Sequence, residues 1–331
     1  MMELGLTPWH FADRSAAGLS AQAVLAESLG YRSFWLPENH FNPAAIPDPL
    51  MLLAAVAAAT TRLRLATTSY LLPLRNPLLA AEQVAVLDQL SNGRTLLGIG
   101  RGYSNETLRA FGIDPGEKRE RFAWSLDLMR RAWRGEPIAV NEGDTPVTVA
   151  PRPVQTPHPP LWLAAFGAKA LTQAGQLGLP YLAAPIDTFA QLALNYARFD
   201  EAVAAAGHAP VTIRPIMRTV FVSDDETSLR DVRARLANLA LPRGLKVPEK
   251  PDDWAIVGRP ALVRERLLAC RESLSVTHLV VTHLRLENLA PEALRDSVTA
   301  IAEVVAVGDQ ASAPHELRVD DGVSNPSGPI K

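Results

Sequence analysis

Short apolar segments alternate with amphipathic segments along most of this 331-residue chain. Each apolar segment ends in a cluster of polar or glycine residues, and the segment after it repeats its apolar residues every three or four positions. This alternation is typical of a parallel β-sheet whose strands are joined by crossover helices. The sequence therefore predicts an α/β protein.

The alternation predicts eight strands, which lie at residues 3–9, 32–36, 63–67, 95–99, 161–165, 179–183, 211–222 and 277–283. The predicted helices lie at residues 19–29, 49–60, 77–91, 117–133, 168–177, 187–206, 227–239, 259–274 and 291–307. Local signals support these boundaries. Asp48 and Asn76 each precede a proline, as an N-cap residue before a proline at the first helical position does. Gly30 follows a helix at the position where a C-terminal glycine is favoured.

Eight strands interleaved with helices predict a (β/α)8 TIM barrel with insertions, in a single domain over residues 1–307. A doubly wound open sheet is the alternative, but that fold carries a glycine fingerprint at its first turn, and residues 7–13 contain no glycine. Residues 135–160 form a proline-rich insertion, and residues 241–256 are expected to be a mobile loop that covers the site as a lid. Residues 308–331 are polar and rich in Ser, Pro and Gly, which predicts a disordered tail.

The segment 94–103 places three glycines, Arg101 and Tyr103 around the end of a predicted strand. Gly98, Gly100 and Gly102 alternate, which lets a ligand or a neighbouring backbone approach where a Cβ would stand in the way. Arg101 and Tyr103 lie at the carboxyl end of the strand, where parallel α/β proteins bind ligands. Arg101 is therefore either a contact for an anion such as phosphate or the partner of a structural carboxylate.

Composition argues against several classes of protein. The net charge of −2 gives no electrostatic case for nucleic-acid binding. No stretch reaches the roughly 20 apolar residues of a membrane span, and the N-terminus lacks the features of a signal peptide, so we expect a cytoplasmic protein. The single cysteine, Cys270, lies in a helical pattern and is expected to be an inert thiol. No histidine or cysteine cluster has the spacing of a metal site, so no metal is expected.

The order of the polar strand ends resembles that of the bacterial luciferase-like flavin monooxygenase family. The segments that carry the resemblance are Glu38-Asn39-His40-Phe41, residues 72–77, LDQLSNGR at 87–94, GIGRG at 98–102, residues 151–160 and residues 178–180. Each segment alone is weak evidence for this family, whereas the whole set in this order is specific for it. The likeness covers roughly residues 3–307.

The resemblance implies a TIM barrel that binds FMN, or in a sister branch a deazaflavin coenzyme, at the mouth formed by the carboxyl ends of the strands. It also implies that a separate reductase supplies the reduced flavin, and that the protein is a homodimer. The family's phosphate site corresponds to Arg101 and to the start of the helix after the fifth strand, which is Phe166, Gly167, Ala168 and Lys169 here. Independently of the resemblance, free amide groups and the dipole make a helix N-terminus an anion site.

Two further expectations follow from the resemblance. The family often has serine or threonine at that helix start, where this chain has Gly167 and Ala170, so we expect backbone amides rather than hydroxyl groups to contact the phosphate. The family also tends to carry a non-proline cis peptide bond after the third strand, under the flavin ring. The matching pair here is Thr68 and Ser69.

Glu38, Asn39 and His40 are the catalytic candidates, because they occupy the positions of a Glu-His-His motif in this family. His40 is expected to hydrogen-bond the substrate or the flavin, since imidazole groups transfer protons near neutral pH; the alternative is a histidine that orients Glu38 or caps a loop. Asn39 replaces the first histidine of the motif. Glu38 either tunes His40 or pairs with an arginine such as Arg94.

The leading hypothesis is therefore a flavin-dependent monooxygenase that uses reduced FMN and O2 to oxidise a small organic substrate. One alternative is hydride transfer with a deazaflavin coenzyme. The other is a partner subunit that has kept the fold and lost the chemistry, for which Asn39 is the main support.

Overall fold

A curled parallel sheet forms the centre of the computed structural model, which describes residues 2–239, 248, 250–283, 286 and 289–311. All eight predicted strands are present, and two short strands, β4 and β9, were not predicted. The strands are β1 Glu3–Leu6, β2 Ser33–Leu36, β3 Arg64–Thr67, β4 Tyr70–Leu71, β5 Thr95–Gly100, β6 Leu161–Ala164, β7 Tyr181–Leu182, β8 Pro215–Val222, β9 Ile256–Gly258 and β10 His278–Thr282.

The strands follow one another around the sheet in the order β7-β6-β5-β3-β2-β1-β10-β8-β9, and β4 pairs with β5. The first strand therefore pairs with the last, as it does in a barrel, and the reversal of strand order that marks a doubly wound sheet does not occur. The predicted closed barrel also requires β7 and β8 to pair. No ladder joins these two strands within the described residues, so the described sheet is a nine-strand half-barrel with β4 at its side.

Ten helices cover the sheet in the described part of the chain. They are α1 Ala16–Ser28, α2 Pro49–Ala59, α3 Pro77–Leu90, α4 Asn105–Ala110, α5 Lys118–Trp133, α6 Ala168–Gln176, α7 Phe189–Ala205, α8 Glu226–Ala237, α9 Pro260–Leu274 and α10 Pro291–Ala311. Asp48 and Asn76 cap α2 and α3 as predicted, because each side chain accepts hydrogen bonds from two backbone amides of the first turn. None of these helices has the length and apolar content needed to span a membrane.

Two segments differ from their predictions. The expected mobile loop at 241–256 ends instead in a 3-10 turn at Pro251–Asp253, followed by the fully buried Trp254 and β9. Residues 240–247 and 249, which include the rest of that loop, lie outside the described residues. The predicted tail also begins too early, because α10 continues to Ala311, and residues 312–331 lie outside the described part.

The strands enclose a small apolar cluster that is separate from the larger core beneath the helices. Each of seven strands contributes one side chain to it: Trp35, Ala66, Leu96, Trp162, Leu182, Met217 and Val280. The rings of Trp35 and Trp162 pack with their centroids 5.2 Å apart. Because alternate residues of a strand face opposite sides, the neighbours of these residues pack against the helices instead. Leu182 and Met217 also form part of the wall of a cleft above this cluster.

Candidate active site

A cleft of about 1310 Å³, part of it open to solvent, lies at the carboxyl ends of the strands. Six of the eight predicted cofactor-binding residues line it: Thr68, Ser69, Arg101, Tyr103, Phe166 and Lys169. The other two, Gly167 and Ala168, lie at the start of α6 and are not part of the lining, whereas the nearby Ala170 is.

The glycines of β5 are required by the strand end beside them. A Cβ on Gly98 would lie 2.0 Å from the backbone oxygen of Thr67, and a Cβ on Gly100 would lie 2.2 Å from Oγ of Ser69. The peptide bond between Thr68 and Ser69 is cis, as predicted. The sequence predicted that these glycines allow either a ligand or a neighbouring backbone to approach closely. Gly98 allows the approach of a neighbouring backbone, that of Thr67.

Four cationic side chains line the same cleft, which we call the cationic cleft: Arg101, Lys118, Arg119 and Lys169. Among the described residues, Arg101 has no carboxylate partner; its Nη1 donates to Oε1 of Gln173 at 3.0 Å. Within the described residues, none of the four cations forms an ion pair. Burial, with Arg119 nearby, lowers the pKa of Arg101, and burial with Arg101 and Arg119 nearby lowers the pKa of Lys118. Such convergence of like charges favours the binding of an anion.

Lys118 and Arg119 were not identified from the sequence. They form the start of α5, where the helix dipole disfavours positive charge. The run Glu117-Lys118-Arg119-Glu120-Arg121 therefore did contain a signal, because two cations in the first turn of a helix cost stability unless an anion offsets them. What the sequence did not reveal is that α5 begins beside Arg101.

The N-terminus of α6 faces the same region. Gly167 has φ 77° at the N-cap position and supplies no side-chain cap. The first amide groups of a helix have no acceptor within the helix, so those of Ala168 and Lys169 are available to an anion. This geometry is compatible with the expected amide contacts, and it puts Phe166, which is exposed, at the edge of the cleft.

Glu38 is the centre of a buried polar cluster at the end of β2. Its Oε1 lies 2.7 Å from Nη1 of Arg75 and 2.9 Å from Nε2 of His40, and its Oε2 accepts from the backbone amide of Leu71 at 2.9 Å. The pairing with His40 agrees with one of the two predicted roles. The other predicted role was a pair with an arginine such as Arg94. Glu38 pairs with Arg75 instead, and Arg94 donates to Oγ1 of Thr60 and to nearby backbone oxygens.

A second cleft of about 1170 Å³ lies beside the cationic cleft and is called here the His40 cleft. The two clefts share four lining residues: Glu38, Leu71, Gly102 and Tyr103. Asn39 also lines the His40 cleft, but its Oδ1 accepts a hydrogen bond from the amide of Ile46 at 2.8 Å. This oxygen therefore stabilises the loop between Asn39 and Ile46. The ring of His40 packs edge-on against Phe111, with centroids 5.0 Å apart.

Cys270 lies outside both clefts. It is buried, and burial raises its pKa to about 11, which keeps the thiol protonated at neutral pH. In the described part of the chain, no group of three or more His, Cys, Asp or Glu residues could hold a metal ion.

Named proteins of known activity match part of the chain. Limonene 1,2-monooxygenase of Rhodococcus erythropolis is 35% identical over 138 residues, which are 40% of this chain and 36% of that protein. The oxygenase component of a flavin-dependent trigonelline monooxygenase of Acinetobacter baylyi is 32% identical over 148 residues, 43% of this chain and 41% of that protein. In both, the matched segment is well under two thirds of the relative.

Solved structures match nearly the whole fold. Monooxygenase RslO1 of Streptomyces bottropensis has a TM-score of 0.77 at 26% identity, covering 92% of this chain and 99% of its own. The oxygenating constituent of 3,6-diketocamphane monooxygenase from Pseudomonas putida, in complex with FMN, has a TM-score of 0.77 at 23% identity and covers 92% and 98%. The coenzyme F420 dependent tetrahydromethanopterin reductase of Methanopyrus kandleri has a TM-score of 0.73 at 16% identity and covers 92% and 99%. The last two show the fold alone.

The family model for luciferase-like monooxygenases matches residues 4–278, which is most of the chain. The limonene and trigonelline enzymes and RslO1 are monooxygenases, and the half-barrel is consistent with a luciferase-like TIM-barrel fold. The chain thus belongs to the luciferase-like monooxygenase family.

Proposed function

We propose that this protein is a monooxygenase that uses reduced FMN and O2 to oxidise a small organic substrate. The observation that carries the proposal is the convergence of four cations without an ion pair, within the described residues, at the cleft where this family is expected to bind flavin. Bound reduced flavin would supply the activation of O2. The protein would bind and orient the reactants and exclude water.

The cationic cleft fits the phosphate of FMN. A phosphate monoester carries a charge of about −2 near neutral pH and accepts several charge-assisted hydrogen bonds. Arg101, Lys118, Arg119 and Lys169 would supply these bonds, together with the amides at the start of α6. The ring would then extend toward Thr68 and Ser69 and the residues that the two clefts share.

His40 would hold a proton near the substrate. Glu38 is paired with the guanidinium of Arg75, and an ionised carboxylate only accepts hydrogen bonds. Nε2 of His40 therefore donates to Glu38, and in the neutral ring Nδ1 is the nitrogen that is left to accept a proton. Asn39 would position the loop that ends at Ile46 rather than transfer protons, because its side-chain oxygen is occupied.

A deazaflavin coenzyme is the second candidate, favoured by the surplus of positive charge in the cleft over one phosphate dianion and by the fold shared with a coenzyme F420 dependent reductase. The two candidates differ in chemistry, because hydride transfer with the deazaflavin needs no O2. The same four cations would hold either cofactor.

Titration of the protein with FMN, riboflavin and a deazaflavin coenzyme, followed by flavin fluorescence, tests the assignment. We expect FMN to bind at least tenfold more tightly than riboflavin, which lacks the phosphate, and more weakly as salt rises. Binding of the deazaflavin alone would reverse the ranking of the two cofactors. If neither binds, the protein is better explained as a non-catalytic partner subunit.

A separate flavin reductase is the proposed electron source. The support is that the similar trigonelline enzyme is the oxygenase component of its flavin-dependent monooxygenase. Substrate oxidation with NADH should therefore require added reductase, whereas chemically reduced FMN should replace it. Turnover with NADH by the purified protein alone would contradict this part of the proposal.

Homodimerisation is proposed from the outer face of α2 and α3. Met51, Leu79 and Leu90 expose 73%, 53% and 61% of their surfaces there, and Val86 is exposed beside them. A contiguous apolar patch of this kind is typical of an interface. Light scattering should give twice the chain mass, and Met51→Glu with Leu90→Glu should give a monomer. A monomeric native protein would remove the proposal.

Closure of the half-barrel, and a single domain over residues 1–307, are also proposed. Nη1 of Arg218 on β8 donates at 2.8 Å to the oxygen of Ala184, two residues after β7, so a polar contact bridges the open seam. A crystal structure in which a ladder joins β7 to β8 would establish closure, and solvent along the seam would contradict it.

A further inference from the structure

The two clefts that meet at Tyr103 have walls of different charge. Arg101, Lys118, Arg119 and Lys169 line the cationic cleft. Among the described residues, no lysine or arginine lines the His40 cleft. A ligand that occupied both clefts, or two ligands that met at their junction, would thus experience a strongly positive region on one side only.

Apart from His40 and two carboxylates, the described walls of the His40 cleft are apolar or polar and uncharged. Leu71, Leu74 and Leu108 provide apolar surface. The neutral polar lining residues are Asn39, Asn42, Ser104, Asn105 and Thr107. Two carboxylates are present. The carboxylate of Glu38 is bound by Arg75 and His40, and that of Glu106 is exposed and accepts a hydrogen bond from Ser104.

This arrangement decides which charge a ligand of the His40 cleft can carry. An anion would find no cation in the described walls, would face Glu106, and would be drawn to the neighbouring cationic cleft instead. In the described walls a cation would find the carboxylates of Glu38 and Glu106, both of which already have partners, and four positive side chains in the adjoining cleft. A neutral molecule is repelled neither by the carboxylates nor by the four cations, and burial of its hydrocarbon against the three leucines favours its binding.

Tyr103 adds a preference for a flat apolar body. Its ring is 63% exposed and belongs to the walls of both clefts, so it presents an open aromatic surface at their junction. Aromatic rings stack on planar groups and pack well against cyclic hydrocarbons. Asn105 and Thr107 lie in the same wall and can donate hydrogen bonds to an oxygen atom.

We infer that the His40 cleft is the substrate subsite and that the substrate is an uncharged, largely hydrocarbon molecule that carries a hydrogen-bonding oxygen. This inference rests on the proposed function, because it assigns the cationic cleft to the cofactor. It predicts that a carboxylate analogue of the substrate is excluded from the His40 cleft and competes with the flavin phosphate instead.

A series of probes with one ring and three charges tests the inference: benzyl alcohol, benzoate and benzylammonium, each followed by saturation-transfer NMR. On protein saturated with FMN, we expect benzyl alcohol to bind and the two charged probes to bind about tenfold more weakly. Benzoate should bind the flavin-free protein and be displaced by FMN. Benzoate or benzylammonium binding the saturated protein as well as benzyl alcohol would overturn the inference, as would failure of benzyl alcohol to bind.

A second experiment introduces a positive charge into the His40 cleft by substitution and measures the affinity for benzoate. Asn105→Lys adds a cation to its wall and, in protein saturated with FMN, should raise the affinity for benzoate about tenfold. Asn238→Lys adds the same charge at an exposed position on another helix end and should leave it unchanged. Equal effects of the two variants would contradict the inference. The comparison is made on protein that binds FMN, so its failure is distinct from a failure of the FMN titration, which alone tests the proposed function.

Discussion

Oε1 of Glu38 lies 2.7 Å from Nη1 of Arg75, and both side chains are largely removed from solvent. The same carboxylate accepts from His40 and from the amide of Leu71, so one buried group connects the end of β2 to β4 and to the candidate catalytic ring. The guanidinium in turn lies over the ring of Tyr70, with its carbon 3.9 Å from the ring centroid. This cluster is therefore a structural support of the site as well as part of it.

Glu38→Gln is expected to destabilise the protein by roughly 3 kcal/mol, because it leaves the buried guanidinium of Arg75 without its charged partner. Urea unfolding measures the change. The matched control is Glu226→Gln, whose ion pair with Arg259 is exposed and should contribute at most about 1 kcal/mol. Equal effects at the two positions would show that burial of the Glu38 pair does not matter.

Arg101→Ala is expected to weaken FMN binding by about 1.5–3 kcal/mol and to reduce the dependence of binding on salt, since one charge-assisted hydrogen bond is lost. The control is Arg134→Ala, which removes an arginine that pairs with Glu136 at the surface and lies outside both clefts. Isothermal titration measures both. An unchanged dissociation constant would remove Arg101 from the phosphate site.

Gly98→Ala is expected to destabilise the protein by about 1–3 kcal/mol or to prevent folding, because its Cβ would lie 2.0 Å from a backbone oxygen that cannot move away alone. Gly116→Ala is the control, since the nearest atom to its Cβ would be a side-chain oxygen at 3.4 Å. Thermal unfolding separates the two. A stable Gly98→Ala protein would mean that β3 and β5 are further apart than the structure gives.

His283 is expected to make stability depend on pH. Burial lowers its pKa to about 4, so between that value and the ordinary 6.5 the unfolded chain binds a proton that the folded chain does not. Stability should thus fall as pH drops through this window, by up to roughly 3 kcal/mol at about 1.4 kcal/mol per unit.

His283→Phe should remove that part of the pH dependence, and unfolding midpoints at pH 7 and pH 4.5 measure it. The exposed His208 supplies the control, as His208→Phe should leave the dependence in place. If the native protein and His283→Phe lose the same stability over this range, the buried ring is not its cause.

Much of the architecture was predictable from local sequence. Asp48 and Asn76 identified two helix starts because capping depends only on the residue and the amides that follow it. All eight predicted strands exist, since an apolar run followed by polar residues signals burial along a sheet wherever it occurs. The short strands β4 and β9 were not predicted, because two or three residues are too few to show a repeating pattern of apolar and polar side chains.

The site was predictable only in part. The resemblance identified the cis bond at Ser69 and the neighbourhood of Arg101, and both lie at the cleft. The resemblance did not include Lys118 and Arg119, which lie at the start of α5, outside the segments that carry it. From the sequence alone they are only charged residues in the first turn of a helix. Their function as anion contacts remains a prediction.

The sequence by itself determined where eight of the strands and nine of the described helices lie, how α2 and α3 begin, and which family the chain resembles, because these depend on residues close together in the chain. Only the tertiary structure decided that Glu38 pairs with Arg75 rather than Arg94, and that α5 delivers two cations to the end of β5. The physical reason is that such pairings depend on where distant segments meet, and packing of the sheet against its helices sets those meeting points.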